Sequence, residues 1–513
     1  MAPPLSRPST YRPLLLSGGL HASAARTPGK PAVICNDAVR SYGELAERAR
    51  RVCGGAIAAG IAHGDRVAIL APNCIEYPEL VVGLADAGAI VATLSPRSTT
   101  HELVAVCDDC GARLLFVHPG LAGLTHGARF ATVERIVVLG RDDYEPWLAQ
   151  APQATPLATL EETDPFTLVY SSGTTGQPKG IVISHRSRAL TFHGMAMEYG
   201  VYGPDDVQLG IAPMAHGAGF AFIMATLYFG GTVDVLPKFD PERVLDKLAR
   251  EPVTGVFMVP THFHAIFALP PAVLERYRGR ALALRTIMSN AAALPQAVKE
   301  QIVAYFGDGR LHETYGSTEA GVVTNLRPQY QLSHRQSVGP AFALNSVRLL
   351  DDDGREVERG AVGELYSCSP YLFNGYWNQP DETRAATRDG WVTAGDLARQ
   401  DEDGFYYIVD RKKDMVITGG YNVYPRELEE VLHGHPALLE TAVIGIPDDY
   451  FGEALCVYVV VRPGHNVAAA ELEALCRRTL AGYKVPKQFR FIDALPRNAG
   501  GKVLKKDLRA HGA

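Results

Sequence analysis

Between Tyr170 and Gly180 the chain reads Tyr-Ser-Ser-Gly-Thr-Thr-Gly-Gln-Pro-Lys-Gly. No other stretch restricts so strongly what this chain can fold into. Ser171, Ser172, Thr174 and Thr175 supply hydroxyls. Gly173 and Gly176 leave backbone N–H groups free to turn toward an anion, and Lys179 supplies a cation. Those are the groups a polyphosphate needs. The lysine spacing is not that of a Walker A loop, and the β-branched run Ile181-Val182-Ile183 that follows reads as strand rather than helix. The loop therefore runs into a strand. The residues before it alternate in type. Ser41-Tyr42-Gly43-Glu44 is a capping box that opens a helix carrying Leu45 and Val52. Residues 67–70, 114–117 and 136–139 read as strands, and 80–88 as helix. Such alternation predicts parallel sheets covered by helices.

At about 150 residues per domain, 513 residues suggest roughly three domain-sized units. With 47% hydrophobic and 21% charged residues, the chain is globular in composition. A formal charge of −6 argues against a bulk electrostatic grip on nucleic acid or an anionic membrane. The eight cysteines include one C-x-x-C, Cys107 and Cys110, with no second pair to complete a zinc site. On a helix with Leu103 and Val106 they read as core thiols, and the usage fits a reducing cytoplasm. The leucine run 14–16 is too short for a signal peptide. Residues 211–233, the nearest candidate for a membrane span, hold Pro213, His216 and four glycines, and read as buried strand, loop and helix. Three prolines in 142–163 predict a loop or linker there. Turns at Asp353-Gly354, Arg359-Gly360 and Asp403-Gly404 predict an antiparallel, barrel-like piece over 338–408. From Pro425, which suits a first helical turn before Leu428, Val431 and Leu432, helices and strands alternate again.

Five further strings carry chemistry. In Thr314-Tyr315-Gly316-Ser317-Thr318-Glu319 an aromatic beside a glycine can stack on a purine. A hydroxyl next to a carboxylate can hold a phosphate oxygen and a divalent cation together. Gly390-Trp391-Val392-Thr393-Ala394-Gly395-Asp396 ends on an acid in a turn. Residues 410–422 run Asp-Arg-Lys-Lys-Asp-Met-Val-Ile-Thr-Gly-Gly-Tyr-Asn. Leu495-Pro496-Arg497-Asn498-Ala499-Gly500-Gly501-Lys502 places a lysine after two glycines. Pro213-Met214-Ala215-His216-Gly217-Ala218-Gly219-Phe220 sets one histidine in an apolar stretch. Any one of these alone reads as a solvated turn or a core histidine.

Together, spread over almost the whole length, the strings resemble the adenylate-forming superfamily of acyl-CoA synthetases, adenylation domains and firefly luciferase. They are most similar to free-standing aryl- and acyl-CoA ligases of the chlorobenzoate or coumarate type. The resemblance implies an α/β fold. Residues 1–410 would form a large N-terminal domain of two doubly wound α/β subdomains plus a small β-barrel. Residues 411–513 would form a smaller mobile α+β domain hinged near Lys413. It implies a nucleotide site built from Ser171, Ser172, Gly173, Thr174, Thr175, Gly176 and Lys179, from Ala291, Ala292, Glu313, Thr314, Tyr315, Gly316 and Thr318, and from Asp396, Ile408, Arg411 and Lys502. Tyr315 would pack on adenine, Thr318 would bind the α-phosphate, and Asp396 and Arg411 would hold the ribose. Ala394 stands where the family usually has threonine. Glu319 and Thr174 would serve Mg²⁺. The acid would sit among His216, Gly217, Ala218, Phe257, Asn290, Thr314, Gly316, Gly321 and Val322. Coenzyme A would pass Gly419 and Gly420, with Asn422, Phe451, Tyr483, Lys484 and Lys487 also in contact.

The implied chemistry has two steps. A carboxylate attacks the α-phosphate of MgATP, giving an acyl-adenylate and pyrophosphate. A thiol then displaces AMP. Lys502, Glu319, Thr318, Lys179 and His216 are the expected catalytic set. Positioning and charge carry the reaction, without a covalent nucleophile. The substrates expected are ATP, coenzyme A and one small carboxylic acid. No acidic residue lies between Val207 and Val233 to meet an amino group, so α-amino acids are not expected. No cation stands among the nine pocket positions, so a mostly apolar monocarboxylic acid is expected, aromatic, alicyclic or medium-chain. Carrier-protein loading, or nucleotide binding without catalysis on the same fold, are the alternatives. A cytoplasmic monomer or homodimer is expected, with no nucleic acid and no membrane span.

Overall fold

The computed structural model describes residues 10–157, 159–172, 178–448, 450–497 and 503–510. Packing divides the chain into two compact units. Unit 1 comprises Met1–Met258, Arg280–Ile287 and Pro370–Thr383. Unit 2 comprises Val259–Gly279, Met288–Ser369 and Arg384–Ala513.

Unit 1 holds the alternating helices and strands that the sequence predicts. Its seven-stranded sheet runs in the order Gly375–Tyr376, Pro178–Ser184, Pro165–Ser172, Ile90–Leu94, Arg66–Leu70, Ala112–Val117, Arg135–Val138. The five strands from Pro165–Ser172 onward pair in parallel. Pro178–Ser184 pairs antiparallel with Pro165–Ser172, so a strand does follow the loop string, and a strand that the sequence reading did not name precedes it. A second set of strands orders as Ala38–Ser41, Pro31–Cys35, Thr232–Val235, Val207–Gly210, Gly255–Met258. The helix opened by the Ser41 capping box forms, and so does the helix carrying Cys107 and Cys110, whose own capping box the sequence reading did not name. Ser41 caps Tyr42–Ala58 with the reciprocal Glu44 contact. Thr99 does the same with Glu102 for Thr100–Cys110. Each such cap contributes about 1 kcal/mol. The second helix buries Leu103, Val106, Cys107 and Cys110 on one face. Burial pushes both thiols upward in pKa, so they are packing groups.

One expectation fails here. The stretch 142–163 is not all loop, because Tyr144–Gln150 is a helix. Pro146 is tolerated in its first turn, where backbone N–H groups have no intrahelical partner. Distant partners hold the helix in place. Tyr144 donates to buried Glu79 at 2.8 Å, and Trp147 meets the Phe116 ring edge-on at 5.3 Å. Residues 211–233 contain the helix Gly217–Phe229, as expected. Among the described residues no helix is long and apolar enough to cross a membrane.

Unit 2 includes the helices Pro260–Phe267, Pro271–Tyr277 and Gln296–Phe306 and then the hairpin of Leu311–Ser317 and Gly321–Leu326. A five-stranded antiparallel sheet follows over the region expected to be barrel-like. It pairs Ser346–Leu350, Gly363–Cys368, Trp391–Gln400 and Thr387–Arg388, with Tyr406–Arg411 on the other edge of Trp391–Gln400. The last sheet orders as Tyr421–Val423, Val416–Thr418, Gly452–Val461, Leu438–Asp448, with Gln488–Phe491 parallel to Gly452–Val461. Helices Pro425–His433 and Ala469–Thr479 cover one face through Leu428, Leu432, Leu472 and Cys476. Leu508 from Lys505–Ala510 packs with Ile444, Cys456 and Tyr458 in a separate cluster.

Candidate functional site

In unit 1, Ser171 and Ser172 end one strand, and Lys179 faces Ser171 across the antiparallel pair. Gly173, Thr174, Thr175 and Gly176 lie outside the described residues. Lys179 is mostly buried. Its Nζ pairs with Glu382 Oε2 at 2.5 Å and lies 5.3 Å from the Tyr376 ring. Gly180 is required by close approach, because a Cβ there would meet the Trp377 Cβ and the Tyr170 ring at 3.1 Å. The Tyr170 hydroxyl donates to Asp109 at 2.5 Å, and burial raises its pKa.

The His216 segment is clamped from below. Asn73 donates to the Ala212 carbonyl at 3.0 Å and accepts from the Met214 amide at 2.8 Å. The Thr93 hydroxyl donates to the Ala215 carbonyl at 3.0 Å. These bonds set His216 at the N-cap of Gly217–Phe229, and Gly219 packs directly on the Pro213 carbonyl. Burial lowers the His216 pKa, and Arg97 lowers it further. His216 is therefore neutral at pH 7, able to donate or accept one hydrogen bond without carrying charge. Phe257 stacks on Phe222, centroids 4.2 Å apart and planes 5° from parallel. One residue here was missed by sequence reasoning. Arg188, on the first turn of His185–Tyr199, is buried, and its guanidinium stands 5.5 Å from the Phe220 ring.

In unit 2, three motifs meet. The Tyr315 hydroxyl donates to Asp396 Oδ2 at 2.7 Å, and Arg411 Nε lies 3.2 Å from Asp396 Oδ1. Strand register puts Arg411 directly across from Asp396. Burial holds the Tyr315 pKa well above its ordinary value, and the Asp396 charge adds to the shift, so the phenol remains a donor. The strand shifts register between Tyr315 and Gly316, where a Cβ on Gly316 would collide with the Gly321 carbonyl. Gly321 has φ +69°. Thr318 and Glu319 follow the strand, half-buried, as are Gly316 and Ile408, while Val322 is buried.

Asn290 Nδ2 donates to Thr314 Oγ1 at 2.8 Å, and its Oδ1 accepts from the Ala291 amide. Ala291 holds φ +76°, a left-handed conformation that a non-glycine residue adopts at a cost. Ala291 and Ala292 are exposed. Glu313 is turned inward and paired with fully buried Lys299, which also donates to the Ser337 carbonyl.

The residues expected to meet coenzyme A lie in the same unit. The Gly419 amide donates to the Phe451 carbonyl at 2.9 Å, and a Cβ on Gly419 would stand 3.1 Å from the Phe451 ring. Gly420, at φ +82°, faces open space. Tyr483 stacks on Tyr421 at 4.7 Å, and both rings are exposed. Lys484 pairs with Glu427 at 2.6 Å, and Lys487 pairs with Asp448 at 3.0 Å above the Phe451 ring. Asn422 is exposed. Lys413 sits in the 3₁₀ turn Lys412–Asp414, its pKa lowered by burial. Lys502 lies outside the described residues. Among the described residues no three His, Cys, Asp or Glu side chains cluster as a metal site.

The family model described as AMP-binding enzyme matches residues 20–377, and that described as AMP-binding enzyme C-terminal domain matches 427–502. The chain is 36% identical over 493 residues to a feruloyl-CoA synthase of an Amycolatopsis species, covering 95% of this chain and 96% of the relative. It is 32% identical over 522 residues to a long-chain-fatty-acid–CoA ligase of Bacillus subtilis, covering 95% and 92%. The crystal structure of ATP-bound MatB from Rhodopseudomonas palustris superposes with a TM-score of 0.90 at 31% identity, covering 98% of this chain and 99% of that one.

Proposed function

We propose, from the premise that this chain belongs to the family of AMP-binding enzymes, that it joins a carboxylic acid to the thiol of coenzyme A at the expense of ATP. One observation carries the nucleotide assignment: Tyr315, Asp396 and Arg411, from three distant motifs, form one hydrogen-bonded group. In this reading the Tyr315 ring, held by its hydroxyl, packs on adenine. Asp396 accepts from the ribose hydroxyls while Arg411 fixes its orientation. Thr318 and Lys179 contact phosphate oxygens. Mg²⁺ fits a site with Glu319 and phosphate oxygens, since that ion commonly takes one or two carboxylates plus substrate phosphates. It would neutralise charge on the phosphates during attack.

The acid lies against His216, Gly217, Ala218, Phe257, Asn290, Thr314, Gly316, Gly321 and Val322. Gly217, Ala218, Gly316 and Gly321 are small, so the walls leave volume for an acid bulkier than benzoate. An apolar acid gains roughly 25 cal/mol per Å² covered. Neutral His216 shapes this pocket and removes no proton, because a carboxylate is already ionised at pH 7. Lys502 offsets charge in the first step only. Residues 411–513 then turn about Lys413, and the thiol arrives past Gly419 and Gly420.

The test is AMP release across a panel of acids, from acetate and benzoate to cinnamates, cyclic acids and medium-chain acids, with and without coenzyme A. Coenzyme A-dependent AMP release with a bulky apolar acid supports the reading. No pyrophosphate exchange with any acid would overturn it.

A further inference from the structure

The helix His185–Tyr199 carries in its first turn a buried charge that no carboxylate among the described residues pairs with. Arg188 has 6% of its surface exposed, and neither its Nε nor its Nη2 has a hydrogen-bond partner. Among the described residues no carboxylate forms an ion pair with it. Its pKa is lowered to about 10 by burial alone, so it is still a cation at pH 7. The Phe220 ring at 5.5 Å offsets only part of that desolvation. Buried charges in folded proteins are paired, and an orphaned one requires an explanation.

Phe220 ties this charge to the acid-binding segment. Its amide donates to the His216 carbonyl at 2.9 Å, so the guanidinium stands beside the turn of Gly217–Phe229 that starts at His216. One helical turn plus the ring contact puts it on the order of 10 Å from His216. Phe166 packs on the Phe220 ring, centroids 6.0 Å apart.

We infer that Arg188 receives a second carboxylate on the acid, at the end far from the carboxylate that is activated. This rests on the acid-binding reading above and changes its substrate class from a monocarboxylic acid to a diacid. The nine wall positions contain no cation and by themselves favour a single carboxylate, but Arg188 lies outside them. A distal carboxylate would find a planar donor fork that suits two parallel hydrogen bonds. Its own desolvation would be offset by neutralising a charge already buried there. An acid ending in a methyl group would leave Arg188 unpaired.

The experiment compares kcat/KM for AMP release on matched pairs: octanoate with octanedioate, dodecanoate with dodecanedioate, and 4-methylcinnamate with 4-carboxycinnamate. The wild-type enzyme should favour at least one diacid over its partner by about 100-fold. Arg188→Leu should abolish that preference. The free R188L protein should melt at or above the wild-type temperature, because an unpaired buried charge has gone. A wild-type enzyme that favours the monoacid in every pair overturns the inference and leaves the ligase reading standing. R188L that keeps the diacid preference overturns it too. Should R188L fail to fold, the wild-type ratios alone still decide. No AMP release with any acid would remove the ligase reading, and this inference with it.

Discussion

Lys179 and Glu382, 203 positions apart, form an ion pair inside unit 1, with the lysine mostly buried and the glutamate half exposed. A lysine on a flexible four-carbon stem is a mobile point charge. The glutamate and the Tyr376 ring hold it in one place before a nucleotide arrives.

Glu382→Gln should therefore raise KM for ATP in pyrophosphate exchange by about tenfold, with kcat little changed. The melting temperature should move little, because one partner is solvated. A lowered KM would mean that Glu382 competes with phosphate for the lysine instead of positioning it.

Lys502→Ala should cripple acyl-adenylate formation by about 100-fold or more and spare thioester formation from supplied acyl-adenylate. In the proposed reading a cation is required only while the carboxylate approaches the α-phosphate. Half-reactions measured separately check this, and equal loss in both would contradict it.

Gly420 has φ +82° and open space where a Cβ would stand. Leucine there should block transfer to coenzyme A while leaving pyrophosphate exchange within about threefold. Alanine imposes the same left-handed backbone without the bulk. If G420A blocks transfer as fully as G420L, backbone strain rather than a filled passage explains the loss.

His185 is buried, and its Nδ1 accepts from the Leu16 amide at 3.3 Å. Burial lowers its pKa from 6.5 to about 4. Below pH 6.5 the unfolded chain binds a proton that the folded chain refuses, so stability falls as pH drops from 6.5 toward 4. The loss reaches about 3 kcal/mol at most, and this residue contributes none of it above pH 6.5. His185→Asn keeps an acceptor without the titration. Its urea midpoint should fall less between pH 6.5 and 4.5 than that of the wild type.

The parts of this protein legible in the sequence are those whose chemistry is local. A serine three residues before a glutamate caps its own helix, whatever lies beyond. The strand after the loop string is legible because Ile181, Val182 and Ile183 are β-branched neighbours in the chain. The two cysteines of Cys107 and Cys110 share a helical face with Leu103 and Val106, so their burial follows from spacing alone. The helix Tyr144–Gln150 shows where this stops. Its three nearby prolines mark a loop, and only Glu79 and Phe116, far away in sequence, make a helix there worth its entropy.

The same limit governs the site. Motifs named Tyr315, Asp396 and Arg411 singly, but their joining depends on the register between two strands of a sheet and on a hairpin bulge. Glu382 and Arg188 carried no local signal at all, since a charge becomes a partner or an orphan only when folding decides what lies within 4 Å of it. Residue chemistry and spacing determined which groups this protein has for binding a nucleotide. Tertiary structure decided which charges are answered, because the Coulomb energy of a buried ion depends on distance and dielectric, and neither exists before the chain has packed.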